Sequence, residues 1–328
     1  MLAAMRPGEV RILACHDGTT SKSADVTDIA RLLKPADAKL WIDLTSPSRD
    51  EIKIVADALG LHPLIAEDIA ERNQRSKVET FDQDVVHVVL FVLQYAAGEA
   101  TADEVDLVLG PKYLLSVHDG SIGEGKTAPL RFGVEHALQK GPDYLLYALS
   151  DTIVDGYFPV LDHIGDDIDE LQDSVLGGAN EFELQRLFGL KKELASLRRA
   201  TSPAREVFAQ LTNRDIPAIA PDHVVYFRDV YDHLIRVTDE LDNDRDLVAG
   251  TLDIYVSIVN NDLSRIMKRL TGVTVILAGI GAVAGIFGMS EAVSAFNGGE
   301  GSGFWIVTLM VVLLALAAAW VLHKIDWI

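Results

Sequence analysis

At 328 residues with 49% hydrophobic content, the chain is long enough for one large domain or two ordinary ones and too apolar to be mostly disordered. Its formal charge of -20, from 29 Lys and Arg against 49 Asp and Glu, disfavours nucleic-acid binding and concentrates cations nearby. A single cysteine, Cys15, excludes an intrachain disulfide and reads as a buried thiol.

The opening segment, Met1 to Gly18, carries Arg6, Glu9, Arg11 and Asp17 and lacks the continuous apolar core of a secretory signal, so the N-terminal part is expected in the cytosol. Runs rich in branched residues, Leu40 to Leu44, Val85 to Leu93, Val105 to Leu109 and Tyr113 to Val117, read as strands, with helices over Asp50 to Leu59 and Leu64 to Glu71. Together they predict an α/β domain over residues 1–141. His118 and Asp119 close a strand and read as a surface pair.

From Pro142 the period becomes helical, through Ile164, Ile168, Leu171 and Val175, then Leu184, Leu187, Leu190, Leu194 and Leu197. Gly177-Gly178 divides the two stretches, which predicts an antiparallel helical hairpin within residues 142–222. Asp162, Asp166, Asp167, Asp169, Glu170 and Asp173 read as a solvated acidic face, and the scattered His62, His87, His136, His163, His223 and His233 as mostly structural.

No proline follows His223, and periodic residues run from Tyr226, Val230 and Leu234 into an uncharged stretch from Leu270 to Ser290. One stalk helix is predicted over 223–289, roughly 100 Å long at 1.5 Å per residue, with a membrane span over about 270–289. An outside loop over 290–302, a second span over 303–323 and a tail over 324–328 complete the chain. Arg265, Lys268 and Arg269 before the first span, with His323 and Lys324 after the second, place both termini on the cytoplasmic side. Trp305, Trp320 and Trp327 suit the interfaces.

At helical spacing the stalk shows Asn260, Ser264, Met267, Thr271, Thr274, Ala278, Gly281, Gly285 and Gly288 on one small, weakly polar face. Such a face either packs a tight helix dimer or lines a pore, and Asp253, two turns before Asn260 on the same face, favours the pore. Two spans cannot enclose a water-wide path, so the pore reading requires a ring of identical subunits. Glu291 and Glu300 would then ring the outer mouth and attract hard cations.

His62-Pro63-Leu64 with Glu67-Asp68, Gln74-Arg75, Lys77-Val78-Glu79, and above all Tyr226-Phe227-Arg228-Asp229-Val230-Tyr231-Asp232-His233, resemble the CorA family of magnesium and cobalt transporters, which has zinc-transporting relatives. Gly250, Asp253, Tyr255, Met267-Lys268 and Leu270-Thr271 continue the resemblance. It implies a funnel-shaped homopentamer in a bacterial inner membrane, with the lipid bilayer and divalent cations such as magnesium, cobalt, nickel or zinc as its partners and no organic cofactor. It places pore positions on Ser264, Met267, Leu270 or Thr271, Thr274, Ala278, Gly281 and Gly288. It also places an interface cation site at Asp229, whose partner carboxylate falls near Asp82 or Asp84, and a gating position at Asp253.

The departures are local. The family's Gly-Met-Asn stands here as Gly288-Met289-Ser290, Ser264 replaces an Asn, and Ala278-Gly279 replace a bulky apolar residue and proline. A hydroxyl reaches metal-bound water less well than an amide carbonyl, so weaker magnesium preference is expected. The alternatives are a zinc transporter of either direction and a membrane-anchored metal sensor that does not conduct. No P-loop, HExxH or Gly-x-Ser-x-Gly motif points to an enzyme.

Overall fold

The computed structural model describes residues 8–81, 84–121, 133–213, 216–288 and 302–324, with only the backbone path at 287, 288 and 302–307. The chain divides into two compact units, Met1–Asp173 with Phe182–Thr251, and Ser174–Glu181 with Leu252–Ile328.

The first unit holds seven strands: β1 (Glu9–His16), β2 (Thr19–Ser23), β3 (Lys39–Thr45), β4 (Lys77–Phe81), β5 (Val85–Ala96), β6 (Glu99–Gly110) and β7 (Tyr113–His118). They form one sheet in the order β2-β1-β3-β7-β6-β5-β4, antiparallel except where β3 and β7 run parallel. Helices α1 (Ile29–Leu32), α2 (Arg49–Leu59) and α3 (Pro63–Glu71) serve one face, where Ile52, Val55, Ile65 and Ile69 pack on Ile12, Leu40, Ile42, Leu44, Val108, Leu115 and Val117. Ser48 caps α2 in a capping box with Glu51, and Gly60 ends the helix in a left-handed turn that glycine adopts without strain. Helices α4 (Val134–Lys140) and α5 (Pro142–Asp155) pack on the sheet as well, α4 against β1 and β3, α5 against β3, β5, β6 and β7.

Burial explains which strands the sequence reveals. Every residue of β5 from Val85 to Leu90 is buried, so the strand reads as an apolar run broken only by His87. The two edge strands, β2 and β4, alternate polar residues toward water and escape the apolar pattern, as does the exposed first half of β6. The segment before Gly18 enters the sheet as β1, and Cys15 on it is buried as expected.

Helices α6 (Tyr157–Gly177) and α7 (Glu181–Asn213) follow, and Arg186 of α7 pairs with Glu170 of α6 at 3.3 Å. Leu184 is only half-buried; Leu187, Leu190, Leu194 and Leu197 carry the seam of α7. The predicted acidic face of α6 is mostly exposed, except that Asp167 accepts the Tyr95 hydroxyl at 2.5 Å. Asp143 of α5 accepts the Ala220 N–H at 2.9 Å and faces His223 Nδ1 at 2.7 Å, which pins the turn where α8 begins.

Helix α8 runs unbroken over Val224–Gly288, 65 residues, close to the predicted stalk. The helix holds an 18-residue window apolar enough to cross a membrane, and that window is scarcely buried. Helix α9 (Ser302–Lys324), 23 residues, is also apolar, with its side chains described from Thr308 onward.

Candidate functional site

Within the second unit, the face read as small and weakly polar is exposed throughout: Asp253, Asn260, Ser264, Met267, Thr271, Thr274, Ala278, Gly281 and Gly285 all meet solvent. At 3.6 residues per turn these positions stay within about a third of the helix circumference. Leu270, beside Thr271, is 66% exposed. Thr274 donates its hydroxyl to the Leu270 carbonyl at 2.7 Å, which satisfies the proton inside the helix and leaves oxygen lone pairs directed outward. A methyl group added at Gly279, Gly281 or Gly285 would meet nothing within 4 Å, so the described residues of a single chain supply no packing reason for these glycines. Gly288 is the last residue of α8, while Met289, Ser290, Glu291 and Glu300 lie outside the described residues.

A second constellation lies in the first unit. Asp151 and Asp155 stand one turn apart on α5, and Asp229 and His233 one turn apart on α8. Ligand atoms of Asp151, Asp155 and His233 lie within 4.8 Å of one another, with His233 Nδ1 and Asp155 Oδ1 3.2 Å apart without hydrogen-bond alignment. The Oδ1 of Asp151 is buried without a partner. Burial, then the charges of Asp155 and Asp229, pushes Asp151 up to about 6. Two carboxylates and an imidazole at this spacing suit a divalent cation. Asp229 is thus brought beside Asp151 and not, among the described contacts, to Asp84, an exposed residue with left-handed backbone at the β4–β5 turn. Asp82 lies outside the described residues.

The profile of the CorA-like Mg2+ transporter protein family matches residues 37–324. The chain belongs to this family. It is 36% identical over 271 residues to the cobalt/magnesium transport protein CorA of Thermotoga maritima, covering 80% of this chain and 77% of that one. It is 28% identical to the putative metal ion transporter YfjQ of Bacillus subtilis over 90% of this chain and 92% of that one. The complete structure of the CorA magnesium transporter from Methanocaldococcus jannaschii has the same fold, with a TM-score of 0.79 and 20% identity over 100% of both chains. CorA-family proteins are membrane transporters of divalent cations, not an enzyme class.

Two buried acid–histidine pairs of this CorA-family chain, His118 with Asp43 and His87 with Asp106, are structural. His118 is fully buried, not the surface residue expected from its place at a strand end, because α5 covers that face of the sheet. Its Nε2 faces Asp43 Oδ1 at 3.1 Å and its Nδ1 accepts the Gly120 N–H at 2.9 Å. Ser116 also donates to Asp43, at 2.6 Å, so serine and histidine both end on one carboxylate and no activated nucleophile results. Asp119 pairs with Arg72. His87 is likewise buried, with Nε2 2.8 Å from Asp106, while Asp68 and Glu79 nearby hold the Lys77 ammonium at 2.5 and 2.9 Å. His62 accepts the Leu64 N–H at 3.2 Å as the cap of α3. Sequence reading missed Asp151 and Asp155; their one-turn spacing, matched by Asp229 and His233, was the available signal.

Proposed function

We propose that this chain is one subunit of a homopentameric channel in a bacterial inner membrane, passing magnesium, cobalt, nickel or zinc. In this reading the lower part of α8, about 270–289, and α9, over 303–323, cross the bilayer, and both termini face the cytoplasm. The observation that carries it is the exposed stripe from Asn260 to Gly285 on a continuous 65-residue helix of a CorA-family chain. Five such stripes facing an axis would form a narrow wet path, lined by Ser264, Thr271 and Thr274 oxygens and by a glycine-rich segment, with Met267 and Leu270 as its bulky apolar positions. Carboxylates at Glu291 and Glu300 would draw cations to the outer mouth, and Ser290 with Ala278 would loosen magnesium selectivity.

Control in this reading falls to Asp253 and to the Asp229 region, where Asp151, Asp155 and His233 complete a site for an intracellular cation. Like carboxylates repel until a cation bridges them, so metal would compact the cytosolic part and close the path. Asp82 and Asp84 remain the proposed partners from a neighbouring subunit.

Two measurements test this. Mass determination in mild detergent should give five copies, and a clean monomer or dimer overturns the pore. Liposome flux should carry magnesium and zinc at comparable rates, with Ser290→Asn raising the magnesium share. No flux of any divalent ion would identify a membrane-anchored sensor instead.

A further inference from the structure

Among the described residues, three groups of acids and histidines bring ligand atoms within 4.8 Å of one another. His16, Asp17 and Asp37 are exposed, and Asp151, Asp155 and His233 belong to the constellation beside Asp229. The third group, Asp68 of α3, Glu79 of β4 and His87 of β5, holds a buried nitrogen with no partner.

His87 is fully buried, and its structural pairing with Asp106 uses only Nε2, 2.8 Å from Oδ1. A carboxylate only accepts, so Nε2 carries the proton and Nδ1 of the neutral ring keeps a lone pair. Nothing meets that lone pair, because Nδ1 is buried without a hydrogen-bond partner. The sheet order sets the side on which it lies. Strands β6 and β4 flank β5 on opposite sides, Asp106 is on β6, and Glu79 stands directly opposite His87 in the β4–β5 register. With Nε2 turned to β6, Nδ1 is the nitrogen on the β4 side, where the Glu79 and Asp68 carboxylates converge.

A positive charge already marks the place. Lys77 Nζ lies 2.5 Å from Asp68 Oδ2 and 2.9 Å from Glu79 Oε2. One ammonium compensates only half of two carboxylates, and it leaves Nδ1 unpartnered. Gln74 Nε2 donates to Asp68 Oδ1 at 3.1 Å and fixes that carboxylate, as Asp106 fixes the ring. Orienting groups of this kind stand behind metal ligands.

We propose that Asp68, Glu79 and His87 form a binding site for a transition-metal dication of the zinc or cobalt kind, which enters by displacing the Lys77 ammonium. The imidazole nitrogen favours such ions over magnesium, and two carboxylates with one imidazole leave a fourth position for water. Glu79, 46% exposed, gives the ion a route from solvent, and the flexible four-carbon stem of Lys77 lets its ammonium swing out to water. The site belongs to the sheet and α3, apart from the α8 stripe and from Asp229, and it stands whether or not the protein conducts.

The test uses full-length protein in detergent, with Zn2+ and Mg2+ as probes. Acetylation by acetic anhydride, mapped by peptide mass spectrometry, reads the freedom of Lys77 in the wild type. Zn2+ should raise acetylation of Lys77 severalfold, and Mg2+ at the same concentration should leave it unchanged. Bound zinc, counted by competition with a chromophoric chelator, should fall by one per chain in His87→Phe and in Glu79→Gln. Gln74→Ala, which frees the Asp68 carboxylate, should weaken that zinc by about 10–100-fold. Lys77→Met removes the competing ammonium and should bind it more tightly. Lys77 acetylation that does not respond to Zn2+, or an unchanged zinc count in both His87→Phe and Glu79→Gln, would overturn the site. An equal rise with Mg2+ would overturn its assignment to transition metals.

Discussion

The two parts of α8 obey opposite surface rules along one unbroken helix. From Phe227 to Thr251 the side chains that repeat every three or four residues are buried against elements of the same chain. From Asp253 to Ile286 nearly every side chain is exposed, including Met267 at 67% and Leu277 at 62%. Helical propensity does not distinguish the two parts, since neither contains proline. What differs is the partner. The first part finds its apolar surroundings within the chain, and the second leaves its apolar side chains exposed among the described residues, as suits the membrane segment of a CorA-family protein.

The largest expected effect tests that division directly. Leu234→Ala removes a buried seam residue and should cost about 2–5 kcal/mol in unfolding of the first unit, whereas Leu277→Ala should leave that transition nearly unchanged. Chemical denaturation in detergent, followed by far-UV circular dichroism, compares them. Equal losses would mean that the exposed part is packed inside the same cooperative unit.

A smaller effect separates electrostatics internal to the chain from those of an assembly. Burial, then the charge of Asp106, pushes Glu104 up to about 7. The folded pKa lies above the ordinary glutamate value near 4.5, so Glu104 favours folding below that value. That contribution is lost as pH rises toward 7. Glu104→Gln keeps an acceptor for the Gln74 N–H, now 2.9 Å from the carboxylate, and should flatten the decline between pH 4.5 and 7. Urea midpoints across that range measure it, and an unchanged slope would assign the pH dependence elsewhere.

The smallest effect sharpens the comparison most finely. Gly250 and Gly285 both have open space for a methyl group within one chain, and alanine is about 0.8–1 kcal/mol better than glycine inside a helix. Gly250→Ala should therefore stabilise slightly. Gly285→Ala should do the same in a lone chain but weaken the assembly if copies approach closely at that face. Subunit mass and unfolding temperature, recorded together, distinguish the two results.

Much of the architecture is legible in the sequence because it rests on periodicity. Branched runs mark the buried strands, three-and-four spacing marks α6 to α8, and the uncharged stretch after Arg269 marks the membrane-like part. The motif around Asp229 carried the family, which the comparison with known proteins bears out.

Tertiary structure alone decided which polar groups meet. Edge strands β2 and β4 exist because neighbours offer them hydrogen bonds, not because their own residues are apolar. His118 is buried because a helix from later in the chain covers it, and Asp151 joins Asp229 across 78 positions because α5 and α8 lie side by side. Asp244 of α8 stands among Asp239, Glu240, Asp242 and Asp246 and is buried. Its place on the buried seam follows from the three-and-four spacing of α8, but the lack of a hydrogen-bond partner for its Oδ2 depends on what the fold puts opposite it. Periodicity is a property of a segment and can be read from it; pairing is a property of the fold and cannot.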